Sequence, residues 1–149
     1  MEAVIFIGVQ GSGKSTFYKR KFYETHIRIN LDMLRTRHRE RLLVSACFEA
    51  KQKFVVDNTN PTAEDRQRYI LPAKFYHFRV IGYYFRANLK DALRRNAQRE
   101  GKARIVEKGV KATFGKLELP SYAEGFDELF YVWIDEKGEF VVEEWKREV

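Results

Sequence analysis

Nine consecutive residues constrain this chain more than all the others. Gly8-Val9-Gln10-Gly11-Ser12-Gly13-Lys14-Ser15-Thr16 matches the pattern G-x-x-x-x-G-K-[ST] in full. Residues 3–7 before it form a continuous apolar run, as a strand buried on both faces requires. Residues 14–23 after it read as a helix. A strand, a tight glycine loop and a helix in that order point to an α/β fold with a parallel sheet. Gly8, Gly11 and Gly13 let the loop curl until its backbone N–H groups face inward, where they can meet phosphate oxygens. The helix adds its positive end. Lys14 is expected to face the ligand and bring a point charge to the β- and γ-phosphates. Ser12 and Thr16 complete the cradle, and Ser15 offers a hydroxyl to Mg²⁺. The competing reading is a glycine-rich turn that carries Lys and Ser by coincidence. The matched context leaves that reading little room.

Further strand and helix patterns alternate along the chain. Strands are expected near residues 26–29, 54–56 and 78–85, with two more at 130–134 and 140–142 joined by a turn at Glu136-Lys137-Gly138-Glu139. Asp32 is placed to cap a long helix over residues 32–50, with Leu34, His38, Leu42, Ala46 and Ala50 along one face. Pro61 suits the first turn of a helix over residues 62–71, which Pro72 should kink or end. Asn88 is a cap for a helix reaching about Arg99, and Gly101 its stop. A polar helix is expected over residues 105–117. The whole implies a mainly parallel central sheet flanked by helices, with a small antiparallel addition at the end.

At 149 residues the chain suits one domain, taken as residues 1–149. No apolar run approaches the ~20 residues of a membrane helix, and the first residues read as a core strand rather than a leader. No membrane association is expected. Cys47 is the single cysteine, which excludes an internal disulfide and fits a buried thiol in a reducing cytoplasm. The net charge of +7 suits a polyanionic partner, and equally plain solubility. Nothing in the sequence points to a protein partner.

Other candidate site residues lie where strands end, the usual place for ligands in open α/β sheets. Asp32 follows the second strand. A carboxylate there can orient an acceptor hydroxyl and take its proton. Arg35, three residues on, would share its helix face and could grip an acceptor phosphate. Asp32 serves as well as a simple helix cap, and Arg35 as a solvated side chain. Arg35, Arg37, Arg39 and Arg41 make this helix start strongly basic. Asp57 ends the third strand and resembles the carboxylate that orders Mg²⁺ in phosphate-loop proteins, although Asp57-Asn58-Thr59-Asn60 could also merely shape a turn. Arg95 and Arg99 share a helix face at spacing i, i+4, as in a phosphate-contacting lid or in any exposed basic helix.

In this order, the phosphate loop, Asn30-x-Asp32-x-x-Arg35, Asp57-Asn58-Thr59-Asn60-Pro61 with Arg66, Arg95-Asn96-x-x-Arg99 and Pro120-Ser121-Tyr122-Ala123-Glu124-Gly125-Phe126 resemble the 5′-kinase domain of end-healing polynucleotide kinases. The resemblance covers nearly the whole chain. It implies an adenylate-kinase-like P-loop NTPase fold with an arginine-bearing lid, ATP and Mg²⁺ as cofactors, and the 5′-hydroxyl end of DNA or RNA as the acceptor partner. It assigns Asp32 as general base, Arg35 as the acceptor-phosphate grip, Lys14 and Ser15 as donor-phosphate and metal positions, and Arg99, with Arg95 in part of the family, as ATP contacts. The chain departs from the family at Leu31, where Arg is frequent, and in the segment after the lid arginines, where Pro is frequent and this chain has Arg104 or Ile105. It has no Asp-x-Asp-x-[ST] phosphatase motif. The alternative is a small-molecule kinase of the same superfamily, acting on a sugar, nucleotide-sugar or antibiotic hydroxyl.

Overall fold

In a computed structural model, residues 1–86, 89–98 and 107–146 are described. Six strands form one sheet: β1 (Glu2–Ile7), β2 (Ile27–Ile29), β3 (Phe54–Val56), β4 (Arg79–Phe85), β5 (Glu128–Ile134) and β6 (Phe140–Glu144). Their order is β2-β3-β1-β4-β5-β6. All neighbours run parallel except β5 and β6. The antiparallel addition is therefore β6 alone, since β5 continues the parallel sheet.

β1 lies at the centre, with β3 on one side and β4 on the other. Its alternating residues divide between two cores. Ala3, Ile5 and Ile7 enter one with Val44, Cys47, Phe48, Tyr69 and Ile70. Val4 and Phe6 enter the other with Phe17, Tyr18 and Phe22. Both faces of the sheet are thus covered, which is why β1 carries no polar residue after Glu2. The helices α1 (Lys14–Lys21, with Phe22 as its C-cap), α3 (Arg37–Ala50) and α4 (Ala63–Phe75) supply those covering residues. The chain leaves β1 toward β2 and later returns past β1 to reach β4, which opens a crevice at the carboxyl end of β1.

The expected helix over residues 32–50 is two helices. A single turn, α2 (Leu31–Leu34), is capped by Asn30, whose side chain accepts from Met33 N–H. Arg35 then turns to φ 75°, and Thr36 caps α3 by accepting from Arg39 N–H. Two side-chain oxygens six residues apart compete for backbone donors and split the helix. Asp32 is consequently in the first turn of α2 and caps nothing, and Arg35 ends that turn rather than sharing a helix face with Asp32. The inward stripe of α3 is Glu40, Val44, Cys47 and Phe48, while Leu42 is exposed. Pro72 sits inside α4, which stops within one turn of it. The first-turn place expected for Pro61 falls outside α4, which Thr62 caps. Two later helices are α5 (Leu89–Gln98) and α6 (Glu107–Lys116). The expected Asn88 cap and the Gly101 stop lie outside the described residues.

Candidate active site

The loop between β1 and α1 needs glycine for two different reasons. Gly13 adopts φ +98°, a left-handed conformation that side chains disfavour. At Gly8 the obstacle is space, because a Cβ would lie 2.9 Å from Ser12 Oγ and 3.0 Å from Phe85 Cβ. Lys14 is buried, with Nζ donating to the Val9 carbonyl at 2.8 Å, so the ammonium is curled over the loop instead of extended into solvent. Ser12 Oγ is buried and has no hydrogen-bond partner among the described residues. The loop is also tied to α6, where Val9 packs on Val110 and Gln10 donates to Thr113.

A cavity of about 300 Å³ opens over this loop. Gln10, Gly11, Gly13, Lys14, Ser15 and Thr16 form its floor, Asp32, Asp57 and Asn58 one side, and Arg20, Ile134, Gly138 and Phe140 the other. The Arg20 guanidinium lies 5.3 Å from the centre of the Phe140 ring. A second cavity, of about 320 Å³, adjoins the first. Asp32, Gln10, Asn58 and Thr59 border both, and Arg37, Asp65, Thr113 and Lys116 line only the second. Asp32 is exposed at the junction.

Every residue of Asp57-Asn58-Thr59-Asn60 has a separate task. Asp57 is 2% exposed, and its Oδ2 accepts from Ser15 Oγ at 3.2 Å and from Arg28 Nε at 2.8 Å. Asn58 Oδ1 accepts from the Leu31 N–H at 2.8 Å, one residue before Asp32. The Thr59 carbonyl accepts from the Gly8 N–H at 3.0 Å, and Asn60 donates to the Phe6 carbonyl at 2.7 Å. Asn30 Nδ2 closes the frame by donating to the Asp57 carbonyl at 2.7 Å. The backbone that carries Asp32 is thus held by Asn30 and Asn58, and the same segment braces the start of the phosphate loop.

Beneath this frame lies a buried polar cluster that sequence reading missed. Glu40 is 2% exposed, and its carboxylate accepts from Arg37, Tyr69 and Asn58. Burial first, and the Glu40 charge second, push the Tyr69 phenol above its ordinary value. Desolvation works against the charged form of Arg37, but Glu40 and Tyr69 outweigh it and hold the guanidinium above its ordinary value. Arg66 is wholly buried. It donates to the Asn60, Pro61 and Glu118 carbonyls and to both Glu124 oxygens, which ties the β3–α4 connection to the segment before β5.

The structure brings Lys14, Ser15, Asp32 and Asp57 to one cavity. Arg35 is exposed and lines neither cavity, whereas Arg37 lines the second one. Arg95 belongs to α5, but its side chain lies outside the described residues, as does Arg99 altogether. Arg28 was not singled out in the sequence because its partners, Ser15 and Asp57, are 13 and 29 residues away. Among the described residues no group of three or more His, Cys, Asp or Glu side chains could hold a metal by itself. No described helix is long and apolar enough to cross a membrane.

A family model described as an AAA domain matches residues 4–120. The chain belongs to this AAA-domain family. The complete loop motif and the sheet order put this AAA-domain chain in the P-loop kinase superfamily. The bifunctional polynucleotide phosphatase/kinase of Schizosaccharomyces pombe is 27% identical over 132 residues, covering 84% of this chain and 32% of the yeast protein. The AAA-domain chain therefore spans about a third of that relative's length. A gluconokinase from Sinorhizobium meliloti 1021 superposes with a TM-score of 0.61 at 17% identity, covering 88% of this chain and 81% of that one. Chaetomium thermophilum Kti12 in complex with ADP-AlF3 superposes with a TM-score of 0.64 at 15% identity, covering 91% and 92%. These two likenesses establish the fold.

Proposed function

We propose that this protein transfers the γ-phosphate of ATP to the 5′-hydroxyl end of DNA or RNA. The observation that carries the reading is the exposed Asp32 carboxylate, which borders the phosphate-loop cavity and also the adjoining cavity with Arg37 and Lys116. The similarity to the Schizosaccharomyces pombe phosphatase/kinase and the ordered motifs of the polynucleotide kinases support the same acceptor.

In this mechanism the loop N–H groups, Ser12, Thr16 and Lys14 hold the triphosphate. Asp32 takes the proton of the acceptor hydroxyl as its oxygen attacks the γ-phosphorus. The bond from the γ-phosphorus to the β,γ-bridging oxygen breaks, and ADP leaves. Lys14 meets the charge that develops on the phosphoryl oxygens. Ser15 and Asp57, hydrogen-bonded at 3.2 Å, are the residues that would hold a Mg²⁺ ion. Bound there, the ion would neutralise phosphate charge. Arg35 and the basic residues of α3 attract the acceptor's backbone, and Arg95 and Arg99 act as lid contacts to ATP.

Labelled ATP offered with a panel of 5′-hydroxyl oligonucleotides, gluconate and other small hydroxyl acceptors tests this directly. Oligonucleotides should take the label. Asp32→Asn should slow transfer by roughly 10²–10⁴-fold with unchanged ATP affinity. Label confined to a small hydroxyl acceptor would replace the polynucleotide reading with the sugar-kinase one. Normal turnover of Asp32→Asn would remove the proposed base.

A further inference from the structure

The two groups that fit a metal are already joined by a third. Arg28 projects from β2 with Nε 2.8 Å from Asp57 Oδ2 and Nη2 3.0 Å from Ser15 Oγ. Its guanidinium carbon lies 5.9 Å from the centre of the Tyr18 ring, and Tyr18 is tethered by its hydroxyl to the His26 carbonyl at 2.6 Å. The Arg28 side chain keeps 26% of its exposure, against 1% for Asp57. A carboxylate buried that deeply needs a counter-charge in every state of the protein. Arg28 supplies it from within the chain, and it does so through the same oxygens that a divalent cation would use.

We infer that Arg28 is a built-in counter-cation that competes with Mg²⁺ at Ser15 and Asp57 and so sets the Mg²⁺ concentration at which nucleotide binds. The inference rests on the nucleotide-site reading above. Arg28 is a positioning residue here, since it acts on the reacting phosphates only through its two partners. Its fork spans both oxygens, which a lysine ammonium cannot do with the same geometry. With the guanidinium in place, Ser15 Oγ spends one lone pair on Nη2, and an arriving dication meets a like charge a few ångströms away.

The test is ADP binding by calorimetry across a Mg²⁺ series, for the unsubstituted protein, Arg28→Met and Arg28→Lys. Removing the like charge should lower the half-saturating Mg²⁺ by about tenfold in Arg28→Met, and by about threefold in Arg28→Lys, which keeps charge but loses the bridge. Thermal melts supply a second readout. Arg28→Met should melt lower than the unsubstituted protein in chelator, because Asp57 has lost its counter-charge, and should recover on adding Mg²⁺ alone. If Arg28→Met does not fold, Arg28→Lys decides. A half-saturating Mg²⁺ that stays put or rises in the folded variants overturns the role of Arg28 while leaving the nucleotide site intact. An unsubstituted protein that binds no ADP at any Mg²⁺ concentration overturns the nucleotide reading, and the inference with it.

Discussion

The phosphate-loop side of the cavity and the Asp32 side are built in opposite ways. The phosphate loop is local: Gly8 to Thr16 are contiguous, and their conformation follows from glycine geometry and the strand and helix on either side. The wall that carries Asp32 is assembled from a distance. Asn58 reaches back 27 residues to Leu31 and 18 to Glu40, and Arg66 reaches forward 58 to Glu124. A locally encoded site can lose one functional side chain and keep its shape. A wall made of long-range polar contacts loses shape first, because each partner left behind is a buried polar group without a mate.

Lys14→Ala attacks the local side and should show the largest effect. Transfer should fall by at least about 10³-fold, as loss of a cation on the transferring group demands. The melting temperature should barely move, since backbone geometry holds the loop. A variant that unfolds instead would mean the loop depends on the Lys14–Val9 contact, and the contrast between the two sides would disappear.

Arg66→Ala should do the reverse. It takes the fully buried guanidinium from the Glu124 carboxylate and removes its hydrogen bonds to the Asn60, Pro61 and Glu118 carbonyls, of which Pro61 keeps the Glu118 N–H. Stability should drop by about 3–5 kcal/mol in denaturant titration, the usual cost of breaking a buried ion pair from one side. A loss below about 1 kcal/mol would mean that the wall tolerates the gap.

A milder version of the same test compares Glu40→Gln with Tyr69→Phe. Glu40 has three donors, and the amide can serve fewer of them, so a loss of roughly 1–3 kcal/mol is expected. Tyr69→Phe removes one hydroxyl and should cost about 1 kcal/mol. Measured in a double-mutant cycle, the two losses should add to more than the double variant shows, because they share a hydrogen bond. Strict additivity would mean that the cluster is not a unit.

The smallest effect lies away from both sides and serves as a control. Burial alone would raise the Asp127 carboxyl, but the Val80 N–H and Lys74 outweigh it and hold it below its ordinary value of 3.8. A depressed folded-state value means the contribution is complete above 3.8 and is lost as pH falls through the lower, folded value. Thermal melts between about pH 6 and about pH 2.5 should show less acid loss in Asp127→Asn than in the unsubstituted protein. An identical acid limb in the two proteins would place the loss elsewhere.

The same division decides what could be read in advance. The loop, the sheet class and the four-residue segment after β3 were legible because their signals are contiguous. The helix break at Arg35 was not, although both caps stand in the sequence, since Thr36 reads as a cap only once Asn30 has claimed the turn before it. The inward face of α3 was misjudged because Glu40 sits on it, and a carboxylate is counted as outward until Arg37, Tyr69 and Asn58 are seen to satisfy it. Arg28 carried no motif at all. Its place between Ser15 and Asp57 follows only from β2 and β3 pairing in the register that sets Arg28 beside Val55.

The far wall of the donor cavity comes from residues 134–140, where Ile134 and Phe140 sit against Gly13, within 3.1–3.3 Å of where its Cβ would be. In chain order the phosphate loop leaves the ribosome more than a hundred residues before this wall. A nascent chain therefore has its cradle long before it has an enclosed cavity. Nucleotide can find an enclosed cavity only once this wall is in place, so ligand-assisted folding would favour intermediates that include it and leave those without it dependent on the two apolar cores alone.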